Sequence, residues 1–423
     1  MFKHKIIEMS VLVNTPATSL NRDINGAPKT VIFGGKERAR FSSQSLKYVI
    51  RKNNDFNELA EVTMSERTCD MPIIIWEKIK DEVDEEYGKA VISLLRKFGT
   101  KSDENNDKSE GENNKEKSAD EDNTVNNEDF AGEDNAANNE NSTKKKKNIP
   151  AIPTGKLART QMLIVWDKKE IEALAEIILD KVKKAGSVKS FSKLKIKHIE
   201  DELLKKDISP KALDVAFFGR MVSSKRMKDV PASVHIAHAF STNRVNNEID
   251  FFTAVDDHRD SGEGAGIINN SEYNASCYFK YGVIDLTQMY ENLQGYENWE
   301  EVMKKGTEIL IKSFCEMLPG GKQASYAGYT LPSTIMIEIK DVKKPFNPCN
   351  AFEVPVSVNQ NESLSVKSAE KLVEFMNRMD VKYATESIRF WFDVNNVDAP
   401  KRTNFVAEST KSLYKAVLDE IFE

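Results

Sequence analysis

The sequence predicts an α+β protein, and three patterns along its 423 residues support this expectation. Residues 5–13, KIIEMSVLV, alternate like a strand and end at the turn Asn14-Thr15-Pro16. Residues 167–184, DKKEIEALAEIILDKVKK, have the spacing of an amphipathic helix that begins at Asp167. Residues 248–281 contain two extended arms around a tip rich in glycine and asparagine, which predicts a long hairpin. A chain of this length can bury a large core and is expected to hold more than one domain.

Residues 19–52 contain a cluster of basic side chains. The only acidic residues in this stretch are Asp23 and Glu37, whereas eight are basic: Arg22, Lys29, Lys36, Arg38, Arg40, Lys47, Arg51 and Lys52. Gly34-Gly35 predicts a loop whose backbone amides can approach a ligand closely, because glycine has no side chain. A nucleotide-binding P-loop is a poor fit, since Lys36 is followed by Glu37 and not by Ser or Thr.

A helix is expected after Ser42 or Ser43, because serine is a good N-cap. Its apolar face would carry Leu46, Val49 and Ile50. Its opposite face would carry Gln44, Lys47 and Arg51. Backbone amides, the positive end of the helix and several cations together favour a phosphate backbone as the ligand. The plainer alternative is a solvated basic helix face.

The net charge of −6 hides an uneven distribution. Residues 101–143 contain fourteen Asp and Glu and four Lys, which gives −10 and leaves +4 for the rest of the chain. Residues 100–148 are rich in Asn, Glu, Asp, Ser and Lys and have almost no large apolar residue. Burial cannot offset the entropy cost of ordering such a segment, so we predict a disordered acidic insertion that ends in Lys144–Lys147.

The sequence shows no metal, redox or membrane signature. The four cysteines, at positions 69, 277, 315 and 349, lack metal-binding spacing. The N-terminal segment is a poor signal peptide because Glu8 interrupts it, and no apolar run approaches a membrane span. We therefore expect a cytoplasmic protein with no membrane segment, metal or cofactor. Three histidines lack matching ligands and are interpreted as structural: His235, His238 and His258.

The second half of the chain alternates further strand and helix patterns. Residues 212–221, ALDVAFFGRM, are strand-like, and 230–245 predict another pair of strands. Helices are expected at 188–206, 299–317, 365–378 and 407–422. After Pro319-Gly320-Gly321, a turn with charge, amide and aromatic character predicts a second RNA-facing patch at Lys322, Gln323 and Tyr326.

Several sequence blocks resemble one family in the same order. LNRD, IFGGK and SSQSLK in the basic stretch are followed by FFGRM (217–221), AHAFSTNRV (237–245), IDFFTAVDD (249–257) and PGGKQASYAGY (319–329). Together they resemble CasC, the guide-RNA-binding backbone subunit of type I-E CRISPR surveillance complexes (Cascade). Residues 55–205 match that family poorly.

The resemblance implies a right-hand architecture. An RRM-like, ferredoxin-type palm would comprise 1–55, 210–245 and 275–423. Helical fingers would comprise 56–209, and a β-hairpin thumb 246–274. Further copies of the chain would stack along a guide CRISPR RNA and present it for pairing with target DNA, beside other Cascade subunits.

The resemblance also implies which residues bind RNA. The RNA backbone would be contacted by Arg22, Lys29, Ser42, Gln44, Lys47 and Arg51. Met221, Phe251 and Phe252 would flank a displaced base, with Phe251 standing where the family has Trp. The basic stretch and the glycine turn add Lys36, Arg38, Lys322 and Gln323. Because successive strand residues point to opposite faces, Phe252 is expected beside the RNA and Phe251 inward.

Two other functions remain open at this point. Related backbone subunits of type III complexes cleave RNA with a thumb-loop aspartate, and Asp256, Asp257 or Asp260 could take that role here. A generic single-strand RNA-binding protein without a fixed assembly is the second alternative. Our prediction is the non-catalytic guide-RNA-binding subunit.

Overall fold

The computed structural model describes residues 4–59, 62–98, 153–206, 208, 212–222, 227–254 and 267–423. The acidic segment 100–148, predicted to be disordered, lies outside these residues, as do Lys144–Lys147. The tip of the long hairpin, with His258 and the three candidate aspartates, also lies outside them.

Strands and helices both occur throughout the described chain. The strands are β1 (Ile6–Thr18), β2 (Thr30–Phe33), β3 (Lys36–Phe41), β4 (Glu66–Thr68), β5 (Ile164–Trp166), β6 (Val234–Ile236), β7 (Ala239–Ser241), β8 (Glu248–Ala254), β9 (Ile267–Asp285), β10 (Thr334–Lys340), β11 (Ile388–Asp393) and β12 (Phe405–Val406). The helices are α1 (Ser43–Arg51), α2 (Met71–Ile79), α3 (Gly88–Leu95), α4 (Lys168–Ala185), α5 (Val188–Phe191), α6 (Ile196–Lys205), α7 (Leu213–Phe218), α8 (Leu286–Leu293), α9 (Trp299–Glu316), α10 (Gln323–Tyr326), α11 (Leu364–Tyr383) and α12 (Thr410–Phe422).

A ten-stranded sheet organises most of the described chain. Its order is β12-β11-β10-β1-β9-β7-β3-β2, with β6 and β8 also paired to β9. The central strand β1 pairs antiparallel with β10 on one side and with β9 on the other. The β11–β12 pair is parallel. Residues 267–273 of β9 pair with β8, which forms the predicted hairpin.

Both faces of the central sheet are covered. On one face, Ile7, Met9 and Val11 belong to a core built with the apolar sides of α1, α7, α8, α9 and α12. On the other face, Leu12 and Phe279 pack in a second core with α11 and residues 348–352. Side chains from α11 in this second core are Ala369, Leu372 and Met376. This explains why β1 is buried at most of its positions instead of alternating between core and solvent.

The chain divides into two compact units. The first comprises 1–68, 164–174 and 201–423 and contains the ten-stranded sheet. The second comprises 69–163 and 175–200 and is helical where it is described. Trp76, Val91 and Phe191 are buried in the second unit, and Phe191 meets the ring of Tyr87 edge-on at 5.9 Å. The range predicted as fingers, 56–209, encloses this unit, and the palm, finger and thumb divisions remain predictions.

The α+β class is confirmed, and so are the strand at 5–13, the hairpin and the helices at 167–184 and 299–317. The strand-like interpretation of 212–221 is wrong, because Leu213–Phe218 form helix α7. Gly219 ends this helix with φ 73°, and its N–H donates to the Val215 carbonyl. None of the described helices is long and apolar enough to cross a membrane.

Candidate nucleic-acid interface

Helix α1 forms as the sequence predicts and anchors the basic stretch. Ser42 is its N-cap, and the Ser42 side chain accepts a hydrogen bond from the Ser45 N–H at 3.2 Å. Leu46 and Ile50 are buried in the core, which leaves Gln44 exposed on the outer side. The Ser42 hydroxyl therefore holds the helix end, and Gln44 is the α1 residue of the predicted set that is open to solvent.

The N-terminal end of α1 meets a histidine between two cations. The Ser43 backbone N–H donates to His238 Nδ1 at 2.9 Å. This bond requires a lone pair on Nδ1, so a neutral ring presents Nε2–H as a donor. Packing around the ring lowers the pKa of His238, and the charges of Arg40 and Lys29 lower it further. The N-terminal end of α1 is therefore rich in donors and positive charge, and His238 is exposed there.

A second group of cations lies along the middle of α1. Lys47 Nζ lies 5.6 Å from the centre of the Phe218 ring. Burial lowers the pKa of Lys47, and the charge of Arg67 lowers it further. Burial also lowers the pKa of Arg67, and the charge of Arg51 lowers it further, whereas the charge of Asp214 acts in the opposite direction. The Arg67 side chain is exposed to solvent. Cations that are packed together and repel one another are stabilised by a bound anion.

Arg51 is held inside this group by an acidic partner. Its Nε donates to Asp214 Oδ2 at 2.5 Å, and only 9% of the Arg51 side chain and 1% of that of Asp214 are exposed. Asp214 also accepts from the Ser65 backbone N–H at 2.7 Å and from the Ser65 hydroxyl at 2.6 Å. The expected outward position of Arg51 beside Lys47 is therefore wrong, because the arginine turns toward α7.

Arg38, which was predicted to bind RNA, does not reach the surface. It is fully buried, and its guanidinium donates to the carbonyls of Ser241, Thr242, Phe352 and Glu353 at 2.9–3.1 Å. It ties β3 to two distant segments, so we withdraw it from the RNA-binding set. The nearby turn has a similar role, because a Cβ on Gly34 would lie 1.9 Å from the Glu353 carbonyl oxygen. The close approach that Gly34 permits is to this protein's own backbone.

The remaining basic residues of the stretch stay at the surface. Lys36 is exposed at the β2–β3 turn, and Arg22 is exposed where it forms a bridge with Pro28. Lys29 is partly exposed, and its backbone carbonyl accepts from the Arg40 N–H at 2.8 Å. These three residues agree with the expected surface location.

The glycine turn at 319–329 packs against the start of the basic stretch. The Gly321 N–H donates to the Leu20 carbonyl at 3.0 Å, and a Cβ on Gly321 would lie 2.4 Å from that oxygen. The Tyr326 hydroxyl lies 2.9 Å from Ser271 Oγ, and the Tyr326 ring lies 5.8 Å from that of Tyr273. The fold thus brings the turn to the base of the β8–β9 hairpin.

Lys322 and Gln323 begin the short helix of this turn. Lys322 has a left-handed backbone with φ 49°, an unfavourable conformation for a residue with a side chain. Gln323 Oε1 is buried and accepts no hydrogen bond from the described residues. The structure therefore places both residues in the predicted turn, with one strained backbone and one unsatisfied carbonyl.

Phe251 and Phe252 are both exposed, at 65% and 43%. The expectation that one of them packs inward is wrong. Strand β8 pairs with β9 in an arm, and Ile249 beside the two phenylalanines is also exposed, at 67%. Met221 is 93% exposed and follows the bridge between Arg220 and Val230. Its predicted place beside Phe252 remains a prediction.

The model of the CT1975-like protein family matches residues 7–419. The chain belongs to this family. The comparison with curated proteins gave no match.

Two solved structures that are similar to this CT1975-like protein are described as parts of CRISPR assemblies. One chain, described as "CRISPR RNA-guided surveillance complex, pre-nicking", is 22% identical with a TM-score of 0.72, over 99% of this chain and 100% of that chain. Another, described as "CRISPR RNA-guided surveillance complex", is 18% identical with a TM-score of 0.55, over 98% of this chain and 99% of that chain. These two similarities show a shared fold. With the family match they confirm the predicted kinship with CRISPR surveillance-complex subunits.

Three residues of the candidate interface are not in the set predicted from the sequence. Arg40 was noted only within the cluster, Arg67 lies outside the stretch, and His238 was assigned a structural role. Strand alternation gave no usable signal for Arg40, because it assigns Arg40 to the same face as buried Arg38. For Arg67 and His238 the interactions join distant positions of the chain: Arg67 acts on Lys47, and His238 accepts from the Ser43 N–H.

The described part of this CT1975-like chain contains no group of three or more His, Cys, Asp or Glu that could hold a metal ion. The candidate aspartates of the hairpin tip lie outside that part. The cation-rich surface is therefore the feature of the described residues that carries the functional argument, and it is suited to binding a polyanion.

Proposed function

We propose that this protein is a non-catalytic backbone subunit of a type I-E-like CRISPR surveillance complex and that it holds guide RNA by its phosphate backbone. The observation that carries the proposal is the pair of cation groups along α1, one at His238 with Lys29 and Arg40, the other at Lys47 with Arg67. Membership of the CT1975-like family and the fold shared with chains of CRISPR RNA-guided complexes support it.

The sheet topology supports an RRM-like palm. The four central strands β10, β1, β9 and β7 are neighbours and antiparallel. Along the chain they alternate with helices as strand, helix, two strands, helix and strand, which is the ferredoxin-type order. An ordinary RRM stacks bases on the open face of its sheet. Here α11 covers that kind of face, so we place the RNA along α1 and the β2–β3 hairpin.

Such a surface favours contacts with phosphates over contacts with base edges. Lysine and arginine side chains that neutralise phosphates bind all sequences alike. The exposed phenylalanines of the β8–β9 arm offer faces for stacking, which is also tolerant of sequence. Guide sequence would then be read by base pairing with target DNA, while further copies of the chain and other subunits extend the assembly along the guide.

The proposal is tested by the RNA that the full chain carries when it is purified from its native host. We expect small RNAs of uniform length that share a repeat-derived end. The double variant Lys47→Ala, Arg67→Ala should lose most of this RNA. Lys411→Ala, Lys415→Ala, which removes two exposed lysines on α12, is the matched control and should keep it. RNA of random length and sequence would favour the generic RNA-binding alternative.

The endoribonuclease alternative needs a separate assay. Purified protein is incubated with complementary target RNA and guide RNA in the presence of Mg²⁺ or Mn²⁺. We expect intact target RNA over the whole time course. Cleavage at regular intervals that disappears in Asp256→Ala, Asp257→Ala or Asp260→Ala would overturn the non-catalytic proposal.

A further inference from the structure

A groove of about 1180 Å³ opens on the first unit, and none of its lining residues belongs to the proposed RNA surface. It lies between the first turn of α9, the last turns of α12 and the β11–β12 edge of the sheet. Pockets that bind drug-sized ligands usually have volumes of roughly 300–1,000 Å³, and this groove is larger. The groove is therefore wide enough for a segment of polypeptide.

The floor of the groove is apolar and ends at an edge strand. Trp299, Met303 and Phe390 line it, and Phe405 stands at its side. Strand β12 is the last strand of the sheet order, and Phe405 and Val406 are 37% and 62% exposed. An edge strand beside an apolar groove offers both backbone hydrogen-bonding groups and side-chain pockets to an added chain.

The rim of the groove is acidic. Five carboxylate side chains line it: Glu300, Glu301, Asp419, Glu420 and Glu423. Two lysines offset part of this charge: Lys304 lines the groove, and Lys305 pairs with Glu301 at 2.5 Å. His4 also lines the groove, with its Nε2 3.1 Å from Glu420 Oε1 and its Nδ1 2.7 Å from Asp341 Oδ1. A surface with this excess of negative charge repels a phosphate backbone and attracts lysine and arginine.

We propose that this groove docks a protein subunit other than this chain, through a segment that carries apolar side chains flanked by Lys or Arg. The charge of the rim excludes RNA as the occupant. The β8–β9 arm of a second copy is disfavoured because Glu248 and Asp250 alternate with its exposed apolar residues. The exposed Val31 and Ile32 of a second copy lie on the hairpin that follows Lys29, so RNA would compete for that hairpin. The proposal rests on the proposed function, since it assumes an assembly with other subunits.

Site-specific cross-linking tests the occupant directly. A photoreactive benzoylphenylalanine replaces Phe405 in the full chain, which is then purified from its host with whatever subunits and RNA it holds. The matched control carries the same group at Val381, an exposed residue on α11 that does not line the groove. We expect a cross-link from position 405, and not from 381, to a stoichiometric second protein, on a peptide with apolar residues beside Lys or Arg. A cross-link to RNA or to a second copy, or no cross-link, would overturn the proposal.

A charge reversal supplies the second measurement. Glu300→Lys, Asp419→Lys should reduce the amount of that subunit per guide RNA roughly tenfold or more, because like charges across an interface repel. Glu370→Lys, Glu374→Lys on α11 is the control and should leave the subunit in place. Bound RNA is measured in the same preparations. Loss of the subunit with RNA retained supports the docking site, whereas an unchanged subunit overturns it. Absence of RNA from the wild type contradicts the proposed function. The cross-link from position 405 still shows, independently of RNA, whether a second protein binds in the groove.

Discussion

The Arg51 guanidinium and the Asp214 carboxylate form an ion pair at 2.5 Å that joins α1 to α7 beneath the cationic surface. Both side chains are nearly buried, and Asp214 is satisfied further by the backbone and hydroxyl of Ser65. This pair distinguishes two roles among neighbouring cations: Arg51 is ion-paired with Asp214 and holds the helix, whereas burial lowers the pKa values of both Lys47 and Arg67.

We expect Arg51→Ala to act on stability. Removing one member of a buried ion pair leaves the other charge unpaired, which lowers the free energy of unfolding by roughly 3–5 kcal/mol. Urea denaturation of the purified chain measures the loss. Lys52→Ala, at the exposed next position, should stay within about 0.5 kcal/mol of the wild type. A stable Arg51→Ala protein with much weaker RNA binding would restore Arg51 to the RNA contacts.

The cations on α1 predict a particular salt dependence. For single-stranded RNA, the slope of log K against log salt changes by about 0.7 for each phosphate contact that is lost. Lys47→Ala and Arg67→Ala should each make the slope shallower by roughly that amount, and they should weaken every RNA sequence alike. Fluorescence anisotropy at several salt concentrations, with two unrelated RNA sequences, gives both quantities. A loss confined to one sequence would contradict a backbone-led mode.

Phe251→Ala and Phe252→Ala should leave the unbound protein stable. Both rings are exposed, so each change should alter the free energy of unfolding by about 0.5 kcal/mol or less. A ring that stacks on a base should instead cost about 1–3 kcal/mol of RNA affinity. The affinity loss identifies which of the two rings contacts RNA. A destabilisation of about 3–5 kcal/mol would mean that the ring belongs to a core.

Lys280 predicts a pH-dependent contribution to stability. It is fully buried, its Nζ donates to the carbonyls of Cys315 at 2.9 Å and Met317 at 3.2 Å, and burial lowers its pKa to about 8 from 10.5. Because the folded state binds its proton more weakly, the cost of burying the ammonium is complete below about pH 8 and disappears as the pH rises toward 10.5.

Lys280→Met has no such proton to release. The stability of Lys280→Met relative to the wild type should therefore fall between pH 8 and pH 10, by an amount on the order of 2–3 kcal/mol. Comparing the two proteins cancels the titration of tyrosines that they share. Lys411→Met, an exposed lysine, should show no change over the same range. A difference between Lys280→Met and the wild type that is flat with pH would contradict the lowered pKa.

Local signals in the sequence predicted the local structure of the site, whereas the orientation of its side chains depends on distant contacts. Ser42 and the apolar spacing of Leu46 and Ile50 were sufficient for α1. Period-two alternation could not separate Arg38 from Arg40, because the carbonyls that bury Arg38 come from positions 241–242 and 352–353. In 212–221 the glycine at 219 carried a helix-end signal, but the β-branched and aromatic residues before it resemble a strand.

The exposed arm has a consequence for how the protein is made. Strand β8 presents an unpaired edge in the described chain together with Ile249, Phe251 and Phe252. Edges of this kind recruit strands from other unfolded or nascent chains, and Glu248 and Asp250 are the charges that oppose such growth. Chains produced in excess of the guide RNA that we propose to stack on the arm form a pool at risk of aggregation and proteolysis. The yield of usable protein in a recombinant host should therefore depend on co-expression of guide RNA more than on the stability of the fold.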